Sequence, residues 1–157
     1  MNKFQKLDTY GQSKVIKELD KVFGNFNVNY EQHIIDKGRV DLFFTASTVD
    51  NHYMYASECK DRWYNHVKFN EWMIEIDKYN ELMTNVDKGY KPLYINTFED
   101  NWLIIWDLSK IDISEIKKEQ RWLDKSTVAK ERGKVLKWVY LLPTELAVYN
   151  KQITTCS

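Results

Sequence analysis

Arg39-Val40-Asp41-Leu42-Phe43-Phe44-Thr45-Ala46, then Ser47-Thr48-Val49-Asp50-Asn51-His52, then Tyr53-Met54-Tyr55-Ala56-Ser57-Glu58-Cys59-Lys60-Asp61-Arg62, is the stretch whose reading decides the fold. Two runs rich in β-branched and aromatic residues flank a polar segment with the composition of a turn. A hairpin folding symmetrically about Val49 and Asp50 sets Asp41 opposite Glu58, with Cβ atoms roughly 5 Å apart. Lys60 lies two residues beyond Glu58 and projects from the same face. Val40, Leu42, Phe44 and Ala46 make the other, core-facing side of the first strand. A slip of one residue would turn that apolar set toward water, so the pattern itself supports the register that gathers the three charges.

Two carboxylates side by side repel and are costly to bury together unless a cation lies between them. Hard oxygen ligands of this kind suit Mg²⁺ or Mn²⁺. A neighbouring lysine orients a water or stabilises charge developing on a phosphate. Aspartate, then Glu-x-Lys on the next strand, resembles the motif of the PD-(D/E)XK nuclease superfamily, here Asp41…Glu58-Cys59-Lys60. Val40 stands where that motif usually has proline. The resemblance implies an α/β fold of the restriction-endonuclease type, an αβββαβ core with a mixed sheet flanked by helices, followed by a strand and loop extension. It covers about residues 9–108 of a single domain spanning 1–157, with 109–157 as the extension.

It also implies a function: Mg²⁺- or Mn²⁺-dependent hydrolysis of phosphodiester bonds in DNA, with RNA as the other polynucleotide. Asp41, Glu58 and the Cys59 backbone carbonyl would hold the metal, and Lys60 would position or activate the attacking water. Many members of the superfamily act in pairs, so a homodimer is one implied assembly. The rival from another class is a catalytically inactive relative that keeps the fold as a nucleic-acid-binding or protein-interaction module. A third reading is an unrelated aromatic-rich α/β protein in which the motif is coincidence.

Outward from the hairpin, Asp8 or Thr9 is expected to cap a helix reaching about Phe23, with Val15, Ile16, Leu19, Val22 and Phe23 as its apolar stripe. Gln12 falls within that stripe, where relatives often carry an acid facing the metal site. An amide there can still hydrogen-bond a metal-bound water, yet its replacing an acid favours the non-catalytic rival. Phe26 to Ile35 alternates as a strand, and Asp36-Lys37-Gly38 signals a turn into the Asp41 strand. His33 or Ile34 would lie opposite Asp41, and His33 reads as a structural strand histidine.

Phe69, Trp72, Met73, Ile76, Tyr79, Met83 and Val86 recur at helical spacing and predict one helix from about His66 to Lys88, stopped by Gly89 and Pro92. Glu71, Glu75 and Lys78 would form its solvated face, and Lys68 near its start is a candidate phosphate contact. Residues 92–98 and 101–108 read as a strand hairpin. Ile113 to Leu123 reads as a short helix capped by Ser114, with Lys117, Lys118 and Arg121 clustered. Lys125 to Lys134 reads as a basic loop whose Lys130, Arg132 and Lys134 are candidate nucleic-acid contacts. Val135 to Leu142 reads as a strand.

At 157 residues the chain is long enough for one domain with a sizeable core. With 43% hydrophobic and 15% aromatic residues it does not have a disordered composition. Lys plus Arg and Asp plus Glu number 23 each, so no global charge advertises a polyanion partner, which also favours the rival somewhat. Cys59 and Cys156 lack metal spacing and suit a reducing compartment. The first residues lack a signal-peptide core and no apolar run reaches membrane-spanning length, so a cytoplasmic protein is expected.

Overall fold

The computed structural model describes residues 19, 22–24, 27–31, 40–125 and 133–153. Among them β-structure dominates: β1 (Asn27–Glu31), β2 (Leu42–Ser47), β3 (His52–Arg62), β4 (Glu71–Glu75), helix α1 (Ile76–Met83), β5 (Tyr90–Phe98), β6 (Trp102–Asp107), β7 (Lys117–Asp124), β8 (Lys134–Pro143) and β9 (Tyr149–Gln152). Six strands form one mixed sheet in the order β1-β2-β3-β5-β6-β9, and β4-β8-β7 form a second, antiparallel sheet.

The β2–β3 hairpin has the register expected from its alternation. Leu42 lies opposite Ser57, Phe44 opposite Tyr55 and Ala46 opposite Tyr53. Its turn is held by the Thr48 N–H donating to the Asn51 carbonyl at 2.8 Å and the Asn51 N–H donating to Thr48 Oγ1 at 3.1 Å. Leu42, Phe44 and Ala46 are fully buried, while Phe43, Thr45 and Ser47 between them are half-buried. Leu42 and Phe44 pack with Leu19, Leu93, Ile95, Leu103 and Ile105 on one face of the mixed sheet. On the other face Ala56, Tyr94, Phe98, Ile104 and Trp106 meet Trp72 and Ile74 of β4, Tyr79 and Leu82 of α1, and Leu142 of β8. Burial of each of these large apolar side chains contributes about 1.5–3 kcal/mol.

β3 and β5 run parallel, with Glu58 beside Tyr94 and Lys60 beside Asn96. Parallel neighbours need a crossover, and β4 with α1 supplies it. In the mixed sheet β1, β2 and β3 are antiparallel neighbours, and β5 joins β3 in parallel.

The expected α/β class is nevertheless wrong. A three-stranded sheet covers one face of the mixed sheet where helices were expected to flank it. The expected 66–88 helix splits: Glu71–Glu75 is a strand paired with β8, and only Ile76–Met83 is α-helical. Trp72 and Ile74 alternate inward at 1% and 2% exposure, a period of two that had been obscured because Phe69, Trp72, Met73 and Ile76 also fit a helical period. The helix stops at Met83 rather than at Gly89, which at φ 91° caps a separate 3₁₀ turn, Val86–Lys88, and Pro92 lies inside β5. The expected 113–123 helix is also replaced: Asp112, rather than Ser114, caps a single 3₁₀ turn, and Lys117–Asp124 is β7. β9 had no counterpart in the sequence reading. The expected first-helix start, Gln12, His33, the 36–38 turn, Lys130, Arg132 and Cys156 lie outside the described residues. Among the described residues no helix is long and apolar enough to cross a membrane.

Candidate functional site

β2 enters the sheet through an irregular step that fixes Asp41. Its N–H donates to the Ser57 carbonyl at 3.1 Å, and its Oδ2 accepts from the Cys59 N–H at 2.9 Å. In an extended strand the N–H and C=O of one residue address the same side, so the Cys59 carbonyl projects toward the Asp41 edge. The Ser57 hydroxyl donates to the Leu42 carbonyl at 2.9 Å and completes this clasp. Asp41, Glu58, Lys60 and the Cys59 backbone are thus gathered at one place.

Glu58 is 1% exposed, and its carboxyl lies within hydrogen-bonding reach of that of Asp41. Lys60 Nζ is 3.5 Å from its Oε1 and Lys78 Nζ 3.4 Å from its Oε2. The Oε1 contact is too long and loose for a hydrogen bond, so that buried oxygen has no hydrogen-bond partner. Burial pushes the Glu58 pKa up to about 7; the charge of Asp41 adds to the shift, and the two lysines oppose it. Burial works against the Lys60 ammonium, but the pull of Glu58, with Tyr94 and Asp41, outweighs it and pushes its pKa up to about 12. Lys60 is therefore a fixed cation rather than a base at neutral pH. Burial pushes the Cys59 thiol up as well, which keeps it protonated and inert.

Glu58 and Lys60 face a cavity of about 190 Å³ between the sheets, walled also by Arg62 of β3, Met73 and Glu75 of β4, and Lys78 of α1, whereas Asp41 is not in its lining. Asp124 at the end of β7 also reaches it. Tyr94, fully buried, donates its O–H to the Met73 carbonyl at 2.7 Å and accepts from Arg62 Nη2 at 2.9 Å. Arg62 Nε donates to Asn96 Oδ1 at 2.8 Å.

Lys78, Arg62 and Tyr94 were missed by the sequence reading. Arg62 was legible, since Glu58, Lys60 and Arg62 share one face of a strand by alternation. Lys78 was hidden by the misplaced helix: with the helix starting at Ile76, Tyr79 and Leu82 are its buried stripe, and the long stem of Lys78 carries the ammonium from the flank to Glu58. Lys68 does not line this cavity; its ammonium sits 4.6 Å from the Tyr64 ring centroid. Lys134 opens β8 opposite Asp124 and is exposed.

The donor set consists of two carboxylates and one backbone carbonyl, with one buried carboxylate oxygen lacking a hydrogen-bond partner. All are hard oxygen ligands, and Mg²⁺ is commonly held by one or two carboxylates with waters completing its shell. The residues fit that ion. Among the described residues no three His, Cys, Asp or Glu side chains converge to make a fuller metal cage. No family model, no curated protein and no solved structure matches the chain.

Proposed function

We propose that the chain is a metal-dependent phosphodiesterase of the cytoplasm that hydrolyses DNA at the Asp41–Glu58–Lys60 site. The observation that carries this reading is the buried Glu58 carboxylate beside Asp41, with Oε1 lacking a hydrogen-bond partner. Leaving such a group unsatisfied costs about 1–3 kcal/mol, and a cation between the carboxylates would remove that cost together with their repulsion. Asp41, Glu58 and the Cys59 carbonyl would hold Mg²⁺ or Mn²⁺, which supplies Lewis-acid polarisation of the scissile phosphate. The Cys59 N–H fixes the orientation of Asp41. Lys60, permanently charged, steadies the attacking water and the charge growing on the phosphoryl oxygens without taking a proton. Tyr94 holds Arg62 at the cavity wall.

One observation favours the second reading, a non-catalytic binding module. Lys60 and Lys78 together offset the charges of Asp41 and Glu58, so the cluster is balanced without a metal. Incubation of the chain with plasmid, linear, single-stranded and branched DNA, in Mg²⁺, Mn²⁺ or EDTA, separates the two. Metal-dependent cleavage that Asp41→Asn abolishes is the expected result. Binding without cleavage in any metal would leave the module.

A further inference from the structure

A second cavity, about 340 Å³, opens beside the first and shares Arg62 and Met73 with it. Its volume is at the low end of the roughly 300–1,000 Å³ of ligand pockets. Its lining is unlike that of the carboxylate site: Tyr64, Phe69 and Trp72 form an aromatic cluster, with Arg62 at one border and Arg121 of β7 at the other. Tyr64 and Phe69 meet edge to face at 5.8 Å, and Tyr64 and Trp72 are nearly parallel at 6.1 Å. Trp72 is buried and anchored by its indole N–H donating to Thr144 Oγ1 at 2.9 Å, whereas Phe69 is 49% exposed.

Cations surround these rings. Lys68 Nζ lies over both Tyr64 and Phe69, at 4.6 and 5.5 Å. Arg62 uses Nε and Nη2 on Asn96, Tyr94 and the Met73 carbonyl, so its Nη1 is left for the cavities it lines. Arg121 Nη2 is paired with Glu119 at 2.8 Å, and its Nη1 meets the Met73 sulfur at 3.9 Å. Among the described residues Glu71 is the one acid in the lining.

An exposed aromatic ring flanked by guanidinium and ammonium groups suits a polyanion whose planar groups are free to stack. In duplex DNA the bases are already stacked on one another, so the rings would find only the backbone; unpaired bases are available. We propose that the Tyr64–Phe69–Arg121 cleft is a subsite for one unpaired nucleotide, which makes single-stranded DNA the preferred substrate of the adjoining site. The base stacks on Phe69 with Tyr64, perpendicular to that ring, against its edge; its phosphate meets Arg121 and Lys68, and Arg62 spans the step to the Glu58 cavity. The inference about substrate preference rests on the phosphodiesterase reading, whereas the binding itself requires no metal.

The test is fluorescence anisotropy with a labelled oligothymidylate, a duplex of equal length and an abasic strand of equal length, using the whole chain in EDTA. The single strand should bind at least tenfold more tightly than either of the others. Phe69→Ala should weaken single-strand binding about tenfold, within the range for loss of one stacked base, and Phe69→Tyr should restore it. Arg121→Gln should lower the salt slope by about 0.7, the value for one contact on a single strand. An abasic strand binding as tightly as the oligothymidylate, or Phe69→Ala binding unchanged in a protein with normal circular dichroism, would overturn the subsite. Asp41→Asn separates the two claims: it should retain the EDTA binding. Tight single-strand binding with no metal-dependent cleavage keeps the subsite and defeats the phosphodiesterase. Cleavage that depends on Asp41 but is indifferent to strandedness and to Phe69→Ala does the reverse.

Discussion

Glu58 and Glu75 line the same cavity and both meet lysines, but they are held in opposite ways. Glu75 of β4 makes one short contact, 2.5 Å, with Lys137 of the adjacent β8, and its side chain is 23% exposed. It ties two strands of the small sheet together, and water solvates what Lys137 does not. Glu58 is 1% exposed, has two longer lysine contacts, carries an oxygen with no hydrogen-bond partner and lies against a second carboxyl. A structural ion pair is improved by shortening its contacts and satisfying its oxygens, as Glu75 does. The Glu58 arrangement forgoes both, and such an arrangement is useful where a cation is to be received.

The sharpest break between the two sites should come from removing their lysines. Lys60→Ala is expected to slow cleavage by about 10²–10³-fold, the loss of one preorganised electrostatic stabiliser, with the fold intact by circular dichroism. Lys137→Ala should leave the rate within about a factor of two. Equal losses from both would mean that Lys60 acts only through stability.

The next effect concerns pH. Glu58 has a folded pKa of about 7, above the ordinary 4.5, so the folded state binds its proton more tightly than the unfolded chain does. The stability this contributes is fully present below about pH 4.5 and is lost as pH rises through 7. Without metal, that loss amounts to about 3 kcal/mol by the usual conversion of pKa shift to energy. Urea unfolding in EDTA across pH 4.5–8 should therefore show wild-type stability falling, and Glu58→Gln should flatten the fall. Parallel curves for the two proteins would remove Glu58 as the cause.

The same contrast explains what was legible in the sequence. The β2–β3 hairpin could be read because Leu42, Phe44 and Ala46 alternate without ambiguity, and alternation fixes both register and facing. Asp41, Glu58 and Lys60 came with it at no further cost in inference. The covering layer could not be read so directly, because Phe69, Trp72, Met73 and Ile76 satisfy a helical period while Trp72 and Ile74 satisfy a strand period. Only pairing with β8, a partner about seventy residues away, decides between them. That error hid the second sheet, the aromatic cleft and Lys78 together, since all three depend on where the strand ends and α1 begins. β7 was obscured in a similar way: Lys117 to Asp124 is mostly polar and exposed, so it lacks an apolar face to announce a strand.

The central claim is that Asp41 and Glu58 form a cation site, and thermal unfolding with and without Mg²⁺ or Mn²⁺ tests it most directly. An ion bound only by the folded state should add about 1.4 kcal/mol at ten times its Kd, which raises Tm by a few degrees in a domain of this size. Glu75→Gln should keep that rise, and Asp41→Asn should abolish it while leaving the metal-free protein no less stable. A wild-type melting curve that the metal leaves unmoved, or an Asp41→Asn protein that is strongly destabilised in EDTA, would contradict the account.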